Sequence, residues 1–195
     1  MMLKRFFDIF FSFIGLIALL PVFLIVSIFI KLDSRGPVFF RQERIGRGFN
    51  AFRIYKFRSM TVDADKKGPS VTVGGDRRVT RVGIFLRKTK IDELPQLINV
   101  FLGDMSFVGP RPEVKKYVDI YKADYERLLT LRPGITDPAS LKYSDEESVL
   151  SSSADWESAY INKILPEKIK LASEYVENRS LLTDIKLIVN TLLKI

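Results

Sequence analysis

The sequence predicts an α-rich α/β protein in which an N-terminal membrane segment precedes a compact core of amphipathic helices and a small β-hairpin. Three observations carry this reading. Residues 9–30 contain no formal charge, several later segments place apolar residues at helical spacing, and two short strand-like runs flank a pair of glycines. With 195 residues the chain has room for one ordinary domain, or a small domain and an appendage, but not for two full domains.

The uncharged stretch runs from Ile9 to Ile30, broken only by Ser12, Gly15, Pro21 and Ser27. As a helix it would be about 33 Å long, close to the roughly 30 Å hydrocarbon core of a bilayer. A secretory signal fits less well, because the stretch is long and no small-residue cleavage site precedes Lys31 and Asp33. Lys4 and Arg5 lie before it, and Lys31, Arg35, Arg41, Arg44 and Arg47 lie after it, so both ends show the preference for the cytoplasmic side. One crossing cannot satisfy both. Pro21 divides the stretch into halves of about 18 Å and 13.5 Å, each near half a bilayer. These residues fit either a single span or a helix-break-helix that enters and leaves on one face. In the second case the carbonyl freed by Pro21 needs an internal partner, such as the Ser12 hydroxyl or packed protein. Asp8 is expected at the interface, with Lys4 or Arg5 as an ion-pair partner.

Ser34 to Pro37 has turn chemistry, and Val38–Phe40 with Ala51–Phe57 reads as a hairpin around Gly46 and Gly48. Residues 63–76, with Gly68, Pro69, Gly74 and Gly75, read as a loop. A helix is expected from Arg81, capped by Thr80, because Val82, Phe85 and Leu86 follow helical spacing. A second is expected over Ile91–Leu102, with Leu94, Leu97, Ile98 and Phe101 on one face and Gly103 ending it. Residues 113–131 and 156–177 contain further helical stretches, and the serines at 151–153 open a loop before Trp156. The last helix carries Leu181, Leu182, Ile185, Ile188, Val189, Leu192 and Leu193, with Ser180 as its N-cap. Such apolar faces are expected to be core, although Lys186 and Lys194 would also suit a membrane surface.

Lys+Arg 31 against Asp+Glu 23 gives a net charge of +8, which points to an anionic partner such as nucleic acid, a phospholipid surface or a phosphorylated substrate. The chain has no Cys and no His. That excludes disulfide scaffolds, thiol catalysis, the Ser-His-Asp triad and His-ligated metals. Chemistry is left to carboxylates, Lys, Arg, Tyr, hydroxyls or an oxygen-ligated hard cation such as Mg²⁺.

The segment from Arg87 to Pro112, RKTKIDELPQLINVFLGDMSFVGPRP, concentrates such groups. Asp92 and Glu93 precede Pro95 and so sit at a helix start, where the dipole favours ionised carboxylates and a nearby phosphate. Arg87 and Lys90 add positive field. Alone, Asp92 would be an N-cap and Glu93 a solvated first-turn acid. The neighbouring Gly109-Pro110-Arg111-Pro112 turn changes that balance, because it holds one guanidinium rigidly and Arg suits bidentate phosphate recognition. Lys56 and Arg58 alternate with aromatics, which fits a half-buried strand beside lipid headgroups better than a nucleic-acid stacking surface. A non-enzymatic, membrane-anchored basic module binding anionic lipid or nucleic acid would explain the charge and the apolar segment. It would not explain the clustering of Asp92, Glu93 and the GPRP turn.

KRFFD, SRGPVFFRQERIG, IYKFRSM, RVTRVGIFLRKTKIDELPQLINVFLGDMSFVGPRPE and LRPGIT together resemble the bacterial monotopic phosphoglycosyl transferases, over Lys4 to about Thr136. The resemblance implies a re-entrant membrane helix-hairpin over residues 1–35, broken at Pro21, and a catalytic core over residues 36–195 on the cytoplasmic face of the bacterial inner membrane. It implies transfer of a sugar-1-phosphate from a UDP-sugar to a polyprenol phosphate, with undecaprenyl phosphate expected, through a covalent aspartyl intermediate. Asp92 would be the nucleophile and Glu93 would help hold Mg²⁺ or Mn²⁺, with Asp92 beside it. Lys56, Arg87 and Arg111 would lie around the phosphates. The partners implied are the UDP-sugar, the polyprenol phosphate and membrane lipid, not nucleic acid; the sugar and the oligomeric state are left open. The chain departs from the family pattern in having Leu20 before Pro21 where many relatives have Ser, and in carrying DPASLKY at 137–143, where Lys142 is a candidate replacement for a substrate-contacting Arg.

Overall fold

A computed structural model describes residues 2–64, 76–151 and 155–194. Most of the expected loop at 63–76 and the serines after Ser151 lie outside the described residues. The chain opens with helices α1 (Met2–Ala18) and α2 (Leu20–Asp33), followed by strands β1 (Phe39–Ile45) and β2 (Ala51–Phe57). Helix α3 (Arg81–Lys88), a 3₁₀ turn (Ile91–Glu93), α4 (Gln96–Leu102) and strand β3 (Ser106–Val108) come next. Then follow α5 (Lys115–Ile120), α6 (Lys122–Leu128), strand β4 (Gly134–Thr136), α7 (Pro138–Lys142), α8 (Glu146–Ser151) and α9 (Trp156–Ala159). A π-helical turn (Tyr160–Ile164) leads into α10 (Leu165–Asn178), and α11 (Leu181–Lys194) ends the chain.

Among the described residues no single helix is long and apolar enough to cross a membrane. Together α1 and α2 are, and they bend by 58° between Ala18 and Leu20. Pro21 lies in the first turn of α2, where its missing N–H costs least within that helix. Ser12 does not serve the carbonyl that Pro21 frees: it is buried and donates to Ile9 O at 3.1 Å, inside its own turn.

The pair is tied to the rest of the protein by charged groups as well as by packing. Asp8 is buried, not interfacial, and accepts from Ser106 Oγ at 3.1 Å and Phe107 N at 3.2 Å. Neither Lys4 nor Arg5 forms an ion pair with it. Lys4 pairs with Asp184 on α11, and Arg5 donates to Val100 O (2.7 Å) and Phe101 O (3.0 Å), satisfying carbonyls at the end of α4. At the other end, Arg58 is buried and donates to Ser34 O (2.6 Å) and Arg35 O (2.8 Å), closing the exit of α2. Asp33 Oδ2 accepts from Val82 N at 3.0 Å, adding to the Thr80 cap on α3. Arg58 is thus a terminator of α2 rather than a headgroup contact. Val26, Ile30, Phe57 and Leu86 fill the space between α2, β2 and α3.

Strands β1 and β2 form an antiparallel hairpin paired along their full length, Phe39 with Phe57 to Ile45 with Ala51. The first strand is longer than its apolar start suggests, because Arg41 to Arg44 obscure the alternation. The expected helix over Ile91–Leu102 is divided at Pro95, and its buried face is Gln96, Leu97, Asn99 and Val100. Phe101 is exposed and stacks on Phe13 of α1. Gly103 ends α4 in the left-handed region, as expected. Strands β3 and β4 pair in parallel, and the largest apolar cluster lies where Tyr117, Tyr125, Leu128, Tyr160 and Leu165 meet. The terminal helix carries its Ser180 cap at 3.1 Å to Thr183 N. Most of its leucine stripe is not core: Leu182, Ile185, Val189, Leu192 and Leu193 face outward, while Asp184 and Leu187 face in. Their pairing with Lys4 and the apolar cluster fixes which face turns inward.

Candidate active site

A cleft of about 1530 Å³ opens between the β-hairpin, α3, the 3₁₀ turn and the segments after β3 and β4. Lys56, Arg87, Asp92, Glu93 and Arg111 all line it; Pro21 lies apart, at the bend of the N-terminal helices.

The carboxylates reach the cleft through a strained turn. Lys90 has φ +56°, a left-handed conformation that costs a non-glycine residue about 1 kcal/mol. Its carbonyl accepts from Glu93 N at 3.1 Å, and its Nζ donates to Ser144 O at 3.2 Å. Asp92 and Glu93 therefore occupy a 3₁₀ turn ahead of α4 rather than the first turn of one long helix. Asn99 holds α4 to the hairpin, donating to Arg53 O (2.8 Å) and accepting from Tyr55 N (2.9 Å). That contact sets the 3₁₀ turn opposite Lys56.

Glu93 receives both cations. Lys56 Nζ lies 2.7 Å and Arg111 Nη2 2.5 Å from Oε1, and Arg111 Nη1 lies 3.4 Å from Oε2. Burial alone would raise the Glu93 carboxyl, but Arg111 and Lys56 outweigh it and hold the group well below the usual carboxylate range. Asp92 is 8% exposed. Burial, together with the Glu93 charge, pushes its carboxyl up to about 6 against the fields of Lys56, Arg87 and Lys90. Two adjacent carboxylates are thus driven apart, one firmly ionised and one poised near neutrality, which is the signature of groups with different chemical tasks.

Arg111 is aimed by its backbone. Its N–H donates to Asp137 Oδ2 at 3.1 Å, while Asp137 Oδ1 accepts from Ser140 N at 2.6 Å as the N-cap of α7. Gly109 and Gly134 let two chains stack: a Cβ on Gly134 would lie 2.1 Å from Gly109 N. Asp137 is 1% exposed, so the segment that departs from the family pattern still holds the Arg111 turn. An Asp before Pro is a readable helix start, but sequence gave no sign that it also grips Arg111. Lys142 is turned away from the cleft to pair with Glu167.

Among the described residues no three carboxylates converge on a point that could hold a metal ion. Asp92 and Glu93 fit a cation that brings most of its own ligands, as Mg²⁺ does with water and phosphate oxygens. Among the described residues Glu93 Oε2 has one long contact, to Arg111, and keeps lone pairs for such a cation.

A bent pair of helices with the length and hydropathy of a membrane segment packs against the β-hairpin and α3, and these wall a cleft in which two contrasted carboxylates meet convergent cations, groups suited to phosphate. The family model of the bacterial sugar transferases matches residues 1–195, and the chain belongs to that family. It is 39% identical over 193 residues to the UDP-N-acetylgalactosamine-undecaprenyl-phosphate N-acetylgalactosaminephosphotransferase of Aeromonas hydrophila, covering 97% of this chain and 43% of that protein. It is 35% identical over 197 residues to the UDP-glucose:undecaprenyl-phosphate glucose-1-phosphate transferase of Escherichia coli K12, covering 99% of this chain and 40% of that protein. The exopolysaccharide production protein PSS of Rhizobium leguminosarum bv. phaseoli is 45% identical over 150 residues, covering 73% of this chain and 74% of that protein. The chain thus spans less than half the length of the first two.

Proposed function

We propose that the protein transfers a sugar-1-phosphate from a UDP-sugar to undecaprenyl phosphate or a related polyprenol phosphate, on the cytoplasmic face of the bacterial inner membrane. Residues 1–35 act as a re-entrant anchor and residues 36–195 as the catalytic core. The observation that carries this reading is the buried Asp92 carboxyl beside a Glu93 clamped by Lys56 and Arg111.

Asp92 Oδ attacks the sugar-bearing phosphorus. A phosphorus–oxygen bond forms, the bond to the bridging oxygen breaks, and UMP leaves with that oxygen. An oxygen of the polyprenol phosphate then attacks the same phosphorus, releases the Asp92 carboxylate and yields the lipid diphosphate sugar. The acceptor is already anionic at neutral pH, so the absence of histidine is no obstacle. Arg111, Lys56 and Arg87 offset phosphate charge in both steps. Mg²⁺, held by Glu93 and Asp92 together with the donor, would supply charge neutralisation on the diphosphate.

The purified protein, given Mg²⁺, undecaprenyl phosphate and a panel including UDP-N-acetylgalactosamine and UDP-glucose, should release UMP and form lipid-linked sugar with at least one donor. EDTA should abolish both. Absence of product across the panel, with the protein folded, would overturn the assignment.

A further inference from the structure

Beside Arg111, along the wall of the same cleft, lies a second charged cluster to which the transfer steps above assign no role. Glu113, two residues beyond Arg111 and 7% exposed, accepts from Tyr160 Oη at 2.7 Å. It faces Arg44 Nη1 at 3.4 Å and Lys168 Nζ at 3.7 Å. Lys168 is also 7% exposed and pairs with Glu146 at 2.8 Å. Arg44 donates to Pro112 O at 3.2 Å, and Ile45 N to Glu113 O at 2.9 Å, so β1 grips the backbone just beyond Arg111. Asp137 grips the backbone of Arg111 itself. The Arg111 turn is therefore held from two sides, and one hold depends on a buried charge balance that reaches through α8 and the π-helical turn to α10.

A lysine at this depth is costly unless it is paired and has a task. A stability role alone would be met as well by apolar packing of similar volume. Here each charge leads toward the reacting centre: Lys168 to Glu113, Glu113 to Arg44, Arg44 to the Pro112 carbonyl, and this backbone to the guanidinium on Glu93. Burial would raise the Glu113 carboxyl, yet Lys168 and Arg44 keep it below its ordinary range, so Glu113 stays ionised.

We propose that Lys168, acting through Glu113 and Arg44, is a positioning residue that fixes the Arg111 guanidinium on the donor's phosphates. The proposal rests on the transferase reading for the substrate it names. In this reading Lys168, on the cleft wall, acts through Arg111 rather than on the reacting atoms. It lies well beyond Thr136, in a stretch where no sequence motif marks it.

The test has two arms. In detergent-solubilised protein labelled with ¹⁵N-arginine, the Nε–H signal of Arg111, assigned from its absence in Arg111→Lys, should be sharp and slowly exchanging. Lys168→Met and Glu113→Gln should broaden or move it, and Lys168→Arg should keep it. The double variant Lys168→Met/Glu113→Gln removes both members of the pair and should recover part of it. In steady-state kinetics, Lys168→Met should lower kcat/KM for the UDP-sugar by up to about 100-fold, the scale of a misplaced catalytic group, with the KM for polyprenol phosphate within about threefold of wild type. Lys168→Arg should restore the donor kinetics. An unchanged Arg111 signal in a folded Lys168→Met, or equal losses toward donor and acceptor, would overturn the positioning role. If the signal moves as expected but wild type releases no UMP from any UDP-sugar, the positioning stands and the transferase reading falls.

Discussion

Glu93 and Asp92 are neighbours in the chain whose acidities are driven in opposite directions, and the contrast has measurable consequences. If ionised Asp92 is the nucleophile, kcat/KM for UMP release should fall below pH 7 with a midpoint near 6. A midpoint near 4 would mean that burial does not perturb the group. The stability effect has the opposite sense. Asp92 ionises near its ordinary 3.8 in the unfolded chain but near 6 when folded, so its charge disfavours folding above pH 6, and this cost disappears as pH falls toward 3.8. Asp92→Asn should therefore abolish transfer while stabilising the fold at pH 7.5 by about 2 kcal/mol, read as a higher melting temperature. Glu93 works the other way: its contribution is full above pH 4.5 and is lost only as pH falls through its depressed folded value. Glu93→Gln leaves Lys56 and Arg111 facing a neutral amide, and turnover should drop at least about 100-fold across a Mg²⁺ titration. Asp92, Glu93, Lys56 and Arg111 are legible in sequence because their motifs bring reactive groups and rigid turns together. Asp137, Glu113 and Lys168 are not, because their partners lie 26, 47 and 22 residues away in the chain and no local pattern encodes such pairings.

At the scale of elements, the site depends on how helix ends and strand crossings are closed. Arg58 caps α2 from β2, while Asp33 of α2 serves the start of α3. Arg58→Met should cost roughly 2 to 4 kcal/mol through carbonyls left without a donor, seen as a lower midpoint in thermal unfolding. Retention of full stability would show that lipid or water replaces the guanidinium. Gly134→Ala places a methyl group against the Gly109 backbone. It should destabilise the protein by roughly 3 kcal/mol or more and lower activity beyond what unfolding explains, since the same crossing carries Arg111. Helix caps at Thr80 and Ser180, the stop at Gly103 and the hairpin were readable from local chemistry. The outward face of α11 was not, since an amphipathic stripe reports that one side is apolar without saying whether protein or lipid covers it.

Across the whole molecule, exposed aliphatic and aromatic side chains occur on α1, α2, α3 and α11, and the bent pair at the N-terminus meets the length and hydropathy of a membrane segment. With no native cysteine, single cysteines at Met2 and Arg35 report topology directly. Both should be protected from an impermeant reagent outside intact cells, whereas labelling of either one would exclude the re-entrant arrangement. Pro21→Leu restores the missing donor and removes the ring clash, and should shift a fraction of molecules toward labelling at one end. The central claim is that Asp92 carries the sugar phosphate between donor and lipid. Wild-type protein mixed with Mg²⁺ and its UDP-sugar, without polyprenol phosphate, should release about one UMP per active site and gain the mass of one sugar phosphate on the peptide containing Asp92. An adduct on another residue, or no UMP until the lipid acceptor is added, would contradict it.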